Sequence, residues 1–191
     1  MKTRLMSIGI KPVFFLLLGI SIISMGCDRV NQQAGILSTA PAAQAHAMID
    51  ALGDSGVTGI AVFTQNGDQI TLTAELQGAS PGLHGFHIHA NGDCSSPDGK
   101  SAGGHWNPTD VAHGKWGEGE FHLGDIGNIS VGEDGTGSIT LTTDLWEIGT
   151  GSDIDVVGKG IIVHADADDF VSQPSGAAGA RIGCGVSVLA E

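Results

Sequence analysis

Two histidines separated by one residue, His87 and His89, lie in the short apolar run Gly85-Phe86-His87-Ile88-His89. The run predicts a β-strand, in which side chains two positions apart point to the same face, roughly 7 Å apart along the backbone. Two imidazoles on one face can hold one metal ion. Because His-x-His also occurs by chance on solvated strand faces, the pair alone leaves both interpretations open.

Further candidate ligands follow along the chain: His105, His113, His122, Asp125 and His164. So many imidazoles together with a carboxylate favour a metal site over scattered surface histidines. The two remaining histidines receive other interpretations. His84 faces away from His87 by strand parity and is expected to be a packed, hydrogen-bonded group, whereas His46 is expected to be solvated in a tether.

The elements that must position these residues are predicted to be strands. The chain has 31 glycines and no tyrosine, and its many Val, Ile and Thr residues favour β-structure over helix. In addition to the strand of His87, alternating apolar residues and turn signals predict strands at residues 48–52, 59–65, 69–76, 126–131, 137–142, 156–164 and 181–189. Asn66-Gly67, between two of these strands, is a hairpin signal.

Two long segments lack any strand pattern: residues 90–124, which contain three candidate histidines, and residues 166–180, which are rich in Gly, Ser and Ala. Irregular loops of this length in a compact domain are usually functional or pinned down. A disulfide and a metal would pin the first loop. We therefore predict an all-β fold, a Greek-key sandwich or barrel of about eight antiparallel strands with two long functional loops.

Residues 1–26 have the pattern of a secretory signal, with a basic start and an apolar core that is short for a membrane span. Gly26-Cys27 also resembles the end of a bacterial lipoprotein signal, in which the cysteine becomes lipidated. Ser24 and Met25 depart from the residues usual before that cysteine. An ordinary signal peptide with an incidental cysteine therefore stays open as the alternative.

The sequence after this signal divides into a flexible tether at residues 27–45 and a domain at residues 46–191. Five basic residues then remain against 21 acidic ones, a net charge of −16. This charge argues against nucleic acid as a partner. In an exported protein the pair Cys94 and Cys184 predicts one disulfide, with two buried thiols as the alternative.

Five segments carry a family pattern: GLHGFHIH at 82–89, GGHWNP at 103–108, HLGDIGN at 122–128, VHADADD at 163–169 and RIGCG at 181–185. Together, and in this order, they resemble bacterial-type Cu,Zn superoxide dismutase over roughly residues 48–191. The resemblance implies that His87, His89, His105 and His164 hold copper. It also implies that zinc is held by His105, His113, His122 and Asp125, a donor set that suits tetrahedral zinc. His105 would then bridge both metals.

The resemblance also gives roles to residues whose context alone predicts nothing specific. Asp168 would hydrogen-bond one ligand of each metal, and Arg181 would hold superoxide at the mouth of the copper site. His105 would pass a proton to the departing peroxide, and a Cys94–Cys184 disulfide would tie the first loop to the final strand. Without the resemblance, a surface aspartate and a solvated arginine would be the preferred interpretations.

The implied activity converts two superoxide anions to oxygen and hydrogen peroxide by copper redox cycling, while zinc has a structural and tuning role. The alternative is a periplasmic copper- or zinc-binding or buffering protein without turnover. The full zinc set argues against a copper-only variant. We expect a location in the periplasm or cell envelope, membrane attachment only through lipidated Cys27, and either a monomer or a homodimer.

The second loop departs from the pattern of eukaryotic relatives, whose longer loop carries lysines and acids thought to guide the anion. Here 12 residues separate Asp168 from Arg181, and Asp169 is the sole charge among them. We therefore expect weaker long-range steering of superoxide than in those relatives.

Overall fold

The computed structural model describes residues 42–191 of the chain. They form nine strands and one short 3-10 helix at Lys100–Ala102. The strands are β1 Gln44–Ala51, β2 Thr58–Asn66, β3 Gln69–Gln77, β4 Gly82–His89, β5 Gly127–Val131, β6 Thr136–Thr143, β7 Gly160–His164, β8 Arg181–Val186 and β9 Val188–Leu189. No helix within this part of the chain is long and apolar enough to cross a membrane.

The first eight strands close into an antiparallel barrel. Their order is β2-β3-β6-β5-β4-β7-β8-β1, and β1 returns to pair with β2, while the two-residue β9 pairs with β1. Because β3 pairs with β6 and β4 pairs with β5 and β7, the chain crosses between non-consecutive strands in the Greek-key manner. The predicted fold class is confirmed.

Strand alternation separates the barrel core from its surface. Along β3, Ile70, Leu72, Ala74 and Leu76 are buried while the residues between them face outward. Phe63 of β2 packs edge to face against buried Trp146, with ring centroids 5.8 Å apart. Burial of these side chains is the main favourable term for folding.

Two strands break this alternation because the long loops cover their outer face. The last six residues of β4 and all five residues of β7 are buried. A strand whose two faces are both buried has a continuous apolar sequence rather than an alternating one. The histidines of these two strands are therefore shielded from bulk water on the outside of the barrel.

Most strand boundaries differ from the sequence predictions by one to three residues, and larger differences occur at β1, β7 and the last strand. β1 begins at Gln44 rather than at residue 48, so His46 is half-buried in β1, and its predicted place in a solvated tether is wrong. β7 begins at Gly160 because residues 147–159 form a separate loop anchored by Asp155. The last strand is interrupted at Ser187, whose backbone bonds to Lys159 and Gly158 instead.

The predicted signal at residues 1–26, Cys27 and nearly all of the predicted tether lie outside the described residues. Within the described part, the two irregular segments flank β4, β7 and β8, as predicted. They run from residue 90 to residue 126, apart from the 3-10 turn, and from residue 165 to residue 180.

Candidate metal centre

Three of the predicted ligands come from the paired strands β4 and β7. His87 and His89 lie on β4, and His164 is the last residue of the neighbouring β7. Gly85 lies beside both side chains: a Cβ there would stand 3.0 Å from Cε1 of His87 and 3.4 Å from Cβ of His164. The absence of a side chain at Gly85 lets the two imidazoles approach, with ring centroids 4.9 Å apart.

The first long loop brings His105 to the same place by running along the free edge of β4. Trp106 N–H donates to the carbonyl of Ile88 at 2.8 Å, and Ile88 N–H donates to the carbonyl of Gly124 at 2.9 Å. His105 consequently lies opposite His89, with ring centroids 5.0 Å apart. The Cys94–Cys184 disulfide, with Cα atoms 5.8 Å apart, ties this loop to β8 and confirms the predicted bridge.

Four buried histidines form the first candidate metal group, their ligand atoms all within 4.8 Å of one another: His87, His89, His105 and His164. One ring nitrogen of each is buried without a hydrogen-bond partner among the described residues: His87 Nδ1, His89 Nε2, His105 Nε2 and His164 Nε2. Buried polar atoms without partners are costly, and their convergence fits a bound ion. An all-imidazole donor set suits copper.

The opposite ring nitrogens of this group have partners that fix the rings. His87 Nε2 lies 2.9 Å from an Asp168 oxygen, and His89 Nδ1 lies 2.9 Å from the carbonyl oxygen of Gly103. Such contacts orient a ligating imidazole and select the tautomer that leaves the other nitrogen free.

The second candidate group is built around one carboxylate oxygen. Asp125 Oδ1 lies 2.7 Å from His105 Nδ1, 3.0 Å from His113 Nδ1 and 3.1 Å from His122 Nδ1. Its other oxygen accepts the backbone N–H groups of His122 at 2.8 Å and Gly114 at 3.1 Å. Three imidazole nitrogens and one carboxylate oxygen in a closed, buried cluster fit zinc.

His105 belongs to both groups, with Nε2 directed to the first and Nδ1 to the second. Asp168 joins them a second time, because its two oxygens lie 2.9 Å from His87 Nε2 and 3.0 Å from His113 Nε2. Asn128 holds Asp168 in turn: it accepts the Asp168 N–H at 2.7 Å and donates to the Asp168 carbonyl at 2.9 Å. The two groups therefore form one connected centre.

Burial keeps three histidines of the first group, His89, His105 and His164, in the neutral form that a metal requires. It lowers the pKa of His105 to about 4 and that of His164 to about 3, and it holds the pKa of His89 well below its usual value. The neighbouring rings add to this effect, since each disfavours a positive charge on the other. At neutral pH the free nitrogens of these three rings therefore carry lone pairs.

His113 has the opposite behaviour. Burial alone would lower its pKa, but hydrogen bonds to Asp125 and Asp168 outweigh burial and raise the pKa of His113 to about 9. Burial likewise opposes ionisation of the two aspartates, yet their hydrogen bonds hold the pKa of each well below its usual range. The second group is therefore an anionic cluster, and a proton on His113 balances part of the negative charge of the two aspartates.

A cavity of about 740 Å³ opens onto the first group and is lined by His89, His105, His164 and Arg181, among others. The Arg181 guanidinium donates to the carbonyl oxygens of Gly99 and Gly103, both at 2.6 Å. These two bonds fix a positive charge at the cavity wall and leave donors for an anion. Lys100 and Asp98, paired at 2.9 Å, lie on the rim.

Every member of both groups and Asp168 could be predicted from the sequence, but the roles of Asn128 and Gln173 could not. Asn128 was visible only as part of a family segment. Gln173 bonds to the backbone of His113, 60 residues away, and no local spacing signals such a contact. His84, by contrast, is buried as predicted, with Nδ1 2.9 Å from the carbonyl oxygen of His164.

A comparison with known protein families agrees with this geometry. The family model described as "Copper/zinc superoxide dismutase (SODC)" matches residues 57–187, well over half of the chain. The match includes every residue of the two histidine groups, Asp168, Arg181 and both bridged cysteines. The chain belongs to the copper/zinc superoxide dismutase family.

Proposed function

We propose that this chain dismutes superoxide at the connected centre, with copper in the first histidine group and zinc in the second. The observation that carries this assignment is His105, whose two nitrogens serve both groups at once. An imidazole can span two metals only if neither nitrogen is committed to a backbone partner, and both are directed at ligand clusters here. Family membership supports the activity, and the donor sets support the distribution of the two metals.

Copper held by His87, His89, His105 and His164 would supply the one-electron oxidation and reduction that turn two superoxide anions into oxygen and hydrogen peroxide. The chain itself must bind the anion, exclude other reactions and deliver protons. The cavity reaches His89, His105 and His164, and Arg181 also lines it, so an anion that enters meets both the rings and a fixed cation.

Arg181 is the residue that we assign to anion binding. Its guanidinium cannot lose its proton at physiological pH, and its two carbonyl contacts prevent it from swinging into solvent. Because both carbonyls belong to the loop that the disulfide anchors, the charge is held relative to His105. This arrangement lets the anion be placed without a reorganisation cost at each turnover.

His105 is the residue that we assign to proton transfer. Its Nδ1 is fixed 2.7 Å from Asp125, so Nε2, which faces the first group, is the atom that can take up and release a proton. The contact with Asp125 stabilises the protonated ring without letting it rotate. The proton is then available beside the cavity in which peroxide leaves.

We also propose that the protein is exported and tethered to the cell envelope by a lipid on Cys27, which places it in the periplasm. Two observations support export: the signal pattern at residues 1–26 and the disulfide, since disulfides persist in oxidising compartments. Metabolic labelling with a fatty-acid analogue tests the anchor, because Cys27→Ser should abolish the label and release the protein from the membrane fraction.

A homodimer belongs to the same proposal. Met48, Val188 and Leu189 are large apolar side chains that are 60%, 45% and 51% exposed on the neighbouring strands β1 and β9. Large exposed apolar side chains on neighbouring strands favour an interface. Sedimentation of the metallated protein tests this, and a mass of one chain at micromolar concentration would refute it.

The experiment that tests the activity is a dismutation assay on the copper- and zinc-loaded protein beside His164→Ala and His46→Ala. His164→Ala removes one copper ligand and should abolish turnover, whereas His46 lies on β1 outside both groups and its replacement should leave the rate unchanged. Stoichiometric metal binding without turnover in the parent protein would instead favour a buffering protein.

A further inference from the structure

Gln173 in the second loop clamps the backbone of His113. Its Oε1 accepts the His113 N–H at 2.9 Å, and its Nε2 donates to the His113 carbonyl oxygen at 2.9 Å. This reciprocal pair imitates the bonding of two paired strand residues, although the two residues are 60 positions apart. Within residues 42–191, the backbone N–H and C=O of His113 form no other hydrogen bond.

We propose that Gln173 is a positioning residue for His113 and thereby sets the affinity of the second group for zinc. This inference rests on the zinc role that the proposed function gives to His113. The side chain of His113 is oriented by Asp168 at Nε2, but this contact fixes the ring and not the peptide that carries it. The Gln173 clamp constrains the backbone N–H and C=O of His113 directly, in addition to the bond from the Gly114 N–H to Asp125.

The need for such a clamp follows from the place of His113 in the fold. His105 and His122 are held by loop segments that bond to β4 or to each other, whereas His113 lies in irregular chain between them. The neighbouring residues are tied, Gly114 to Asp125 and Val111 to Asn107, but among the described residues only Gln173 bonds to the N–H and C=O of His113 itself. Loss of this contact should let Nδ1 shift away from Asp125. A displacement of this kind would remove one of the four ligands from the second group.

A second contact shows that the whole loop is fitted to His113. Gly176, at φ 67°, lies over the His113–Asp168 hydrogen bond, and a Cβ there would stand 2.7 Å from His113 Nε2. The backbone at Gly176 can approach so closely only because it has no side chain. The second loop, which carries few charges for steering, is thus shaped to hold a ligand of the zinc group.

The size of the effect is limited by solvent. Gln173 is exposed, so water competes for its two hydrogen bonds, and their net contribution is smaller than for a buried pair. We therefore expect Gln173→Ala to weaken zinc binding by about tenfold, the lower end of the roughly 10- to 100-fold range for groups that orient metal ligands.

The test compares zinc dissociation constants, by chelator competition, for the parent protein, Gln173→Ala, Gln173→Glu and the control Gln77→Ala. Gln77 is an exposed glutamine at the end of β3, away from both groups. Gln173→Glu keeps the acceptor for the His113 N–H but loses the donor to its carbonyl. We expect weaker zinc binding in both Gln173 variants, with Gln173→Ala affected most, and no change in the control.

Two further readouts separate positioning from a general loss of structure. With cobalt in place of zinc, the visible absorption bands should shift in Gln173→Ala, because the ligand geometry changes, and should not shift in Gln77→Ala. Thermal unfolding of the metal-free proteins reports stability independently. If Gln173→Ala does not fold, Gln173→Glu decides the question.

The zinc measurements test the role of Gln173 separately from the assignment of zinc to the second group. If the parent protein does not take up one zinc per chain, the assignment of the second group fails. If the parent binds zinc and both Gln173 variants match its affinity within twofold, the positioning role of Gln173 is overturned while the zinc site stands.

Discussion

At the scale of single residues, the centre is built from imidazoles whose two nitrogens have different tasks. In His87 and His89, one nitrogen is fixed by a carboxylate or a carbonyl and the other is left free in a buried cluster. His105 departs from this rule, since Asp125 is its partner within a candidate ligand set. This difference makes His105 the link between the two groups.

Asp168 is predicted to control both metals without touching either. Asp168→Asn keeps the size of the side chain but replaces one acceptor oxygen by an N–H₂ group, so it cannot accept from His87 and His113 together. We expect zinc affinity to fall by about 10- to 100-fold. Chelator competition measures this, with Asp144→Asn, an exposed aspartate outside both groups, as control. Unchanged zinc affinity in Asp168→Asn would contradict the role of Asp168.

The raised pKa of His113 predicts that zinc displaces a proton. The pKa of about 9 means that His113 in the metal-free protein is protonated at pH 7, while the zinc-bound ring must be neutral at Nδ1. Zinc uptake should therefore release about one proton at pH 7, and affinity should rise with pH until His113 titrates. Calorimetry in buffers of different ionisation enthalpy measures the release. A proton count of zero at pH 7 would show that His113 is already neutral.

At the scale of elements, the strands could be predicted from the sequence but the contacts between loops could not. Alternation along β3 and the Asn66-Gly67 turn place a hairpin unambiguously, because burial of one face fixes the register. The candidate ligands came from residue type and from family resemblance. The roles of Gln173 and Asn128 could not be predicted, because Gln173 bonds to backbone 60 residues away and Asn128 to backbone 40 residues away. Such contacts depend on how the loops fold.

The loop between β6 and β7 offers a test of such backbone anchoring away from the metals. Burial alone would raise the pKa of Asp155, but the N–H groups of Gly149, Gly151 and Val157 hold it below its usual value. A depressed pKa adds stability above the unfolded-state pKa of about 3.9, and this stability is lost as pH falls through the folded-state pKa.

We therefore expect Asp155→Asn to lower the unfolding free energy by about 1 to 3 kcal/mol at pH 7. The difference from the parent should shrink on acidification below about pH 4. Denaturant unfolding of the metal-free proteins at both pH values measures it. A difference that stays constant with pH would mean that the charge of Asp155 does not contribute.

At the scale of the whole molecule, charge predicts how the substrate arrives. After the predicted signal is removed, 21 acidic residues face five basic ones. On the cavity rim Asp98 is paired with Lys100, which leaves Arg181 as the cation directed at the inner cavity. Its attraction acts at short range, whereas the surrounding charge repels an anion.

The dismutation rate should accordingly not fall steeply as ionic strength rises from about 0.01 to 0.1 M, although the Debye length shrinks from about 30 to 10 Å. Pulse radiolysis across this range measures the rate. Arg181→Ala serves as the comparison, since it should lower the rate at every salt concentration. A steep decline in the parent protein would reveal long-range steering that its charge distribution does not predict.

The central claim is that His105 joins the two metal sites through one imidazole, and the electron paramagnetic resonance of copper tests it most directly. With copper in the first group and cobalt replacing zinc in the second, spins linked through a shared ring should couple. The isolated copper signal should then be suppressed, and it should return in the protein that holds copper alone. An unchanged copper signal with cobalt fully bound would contradict the shared His105 and the proposed centre with it.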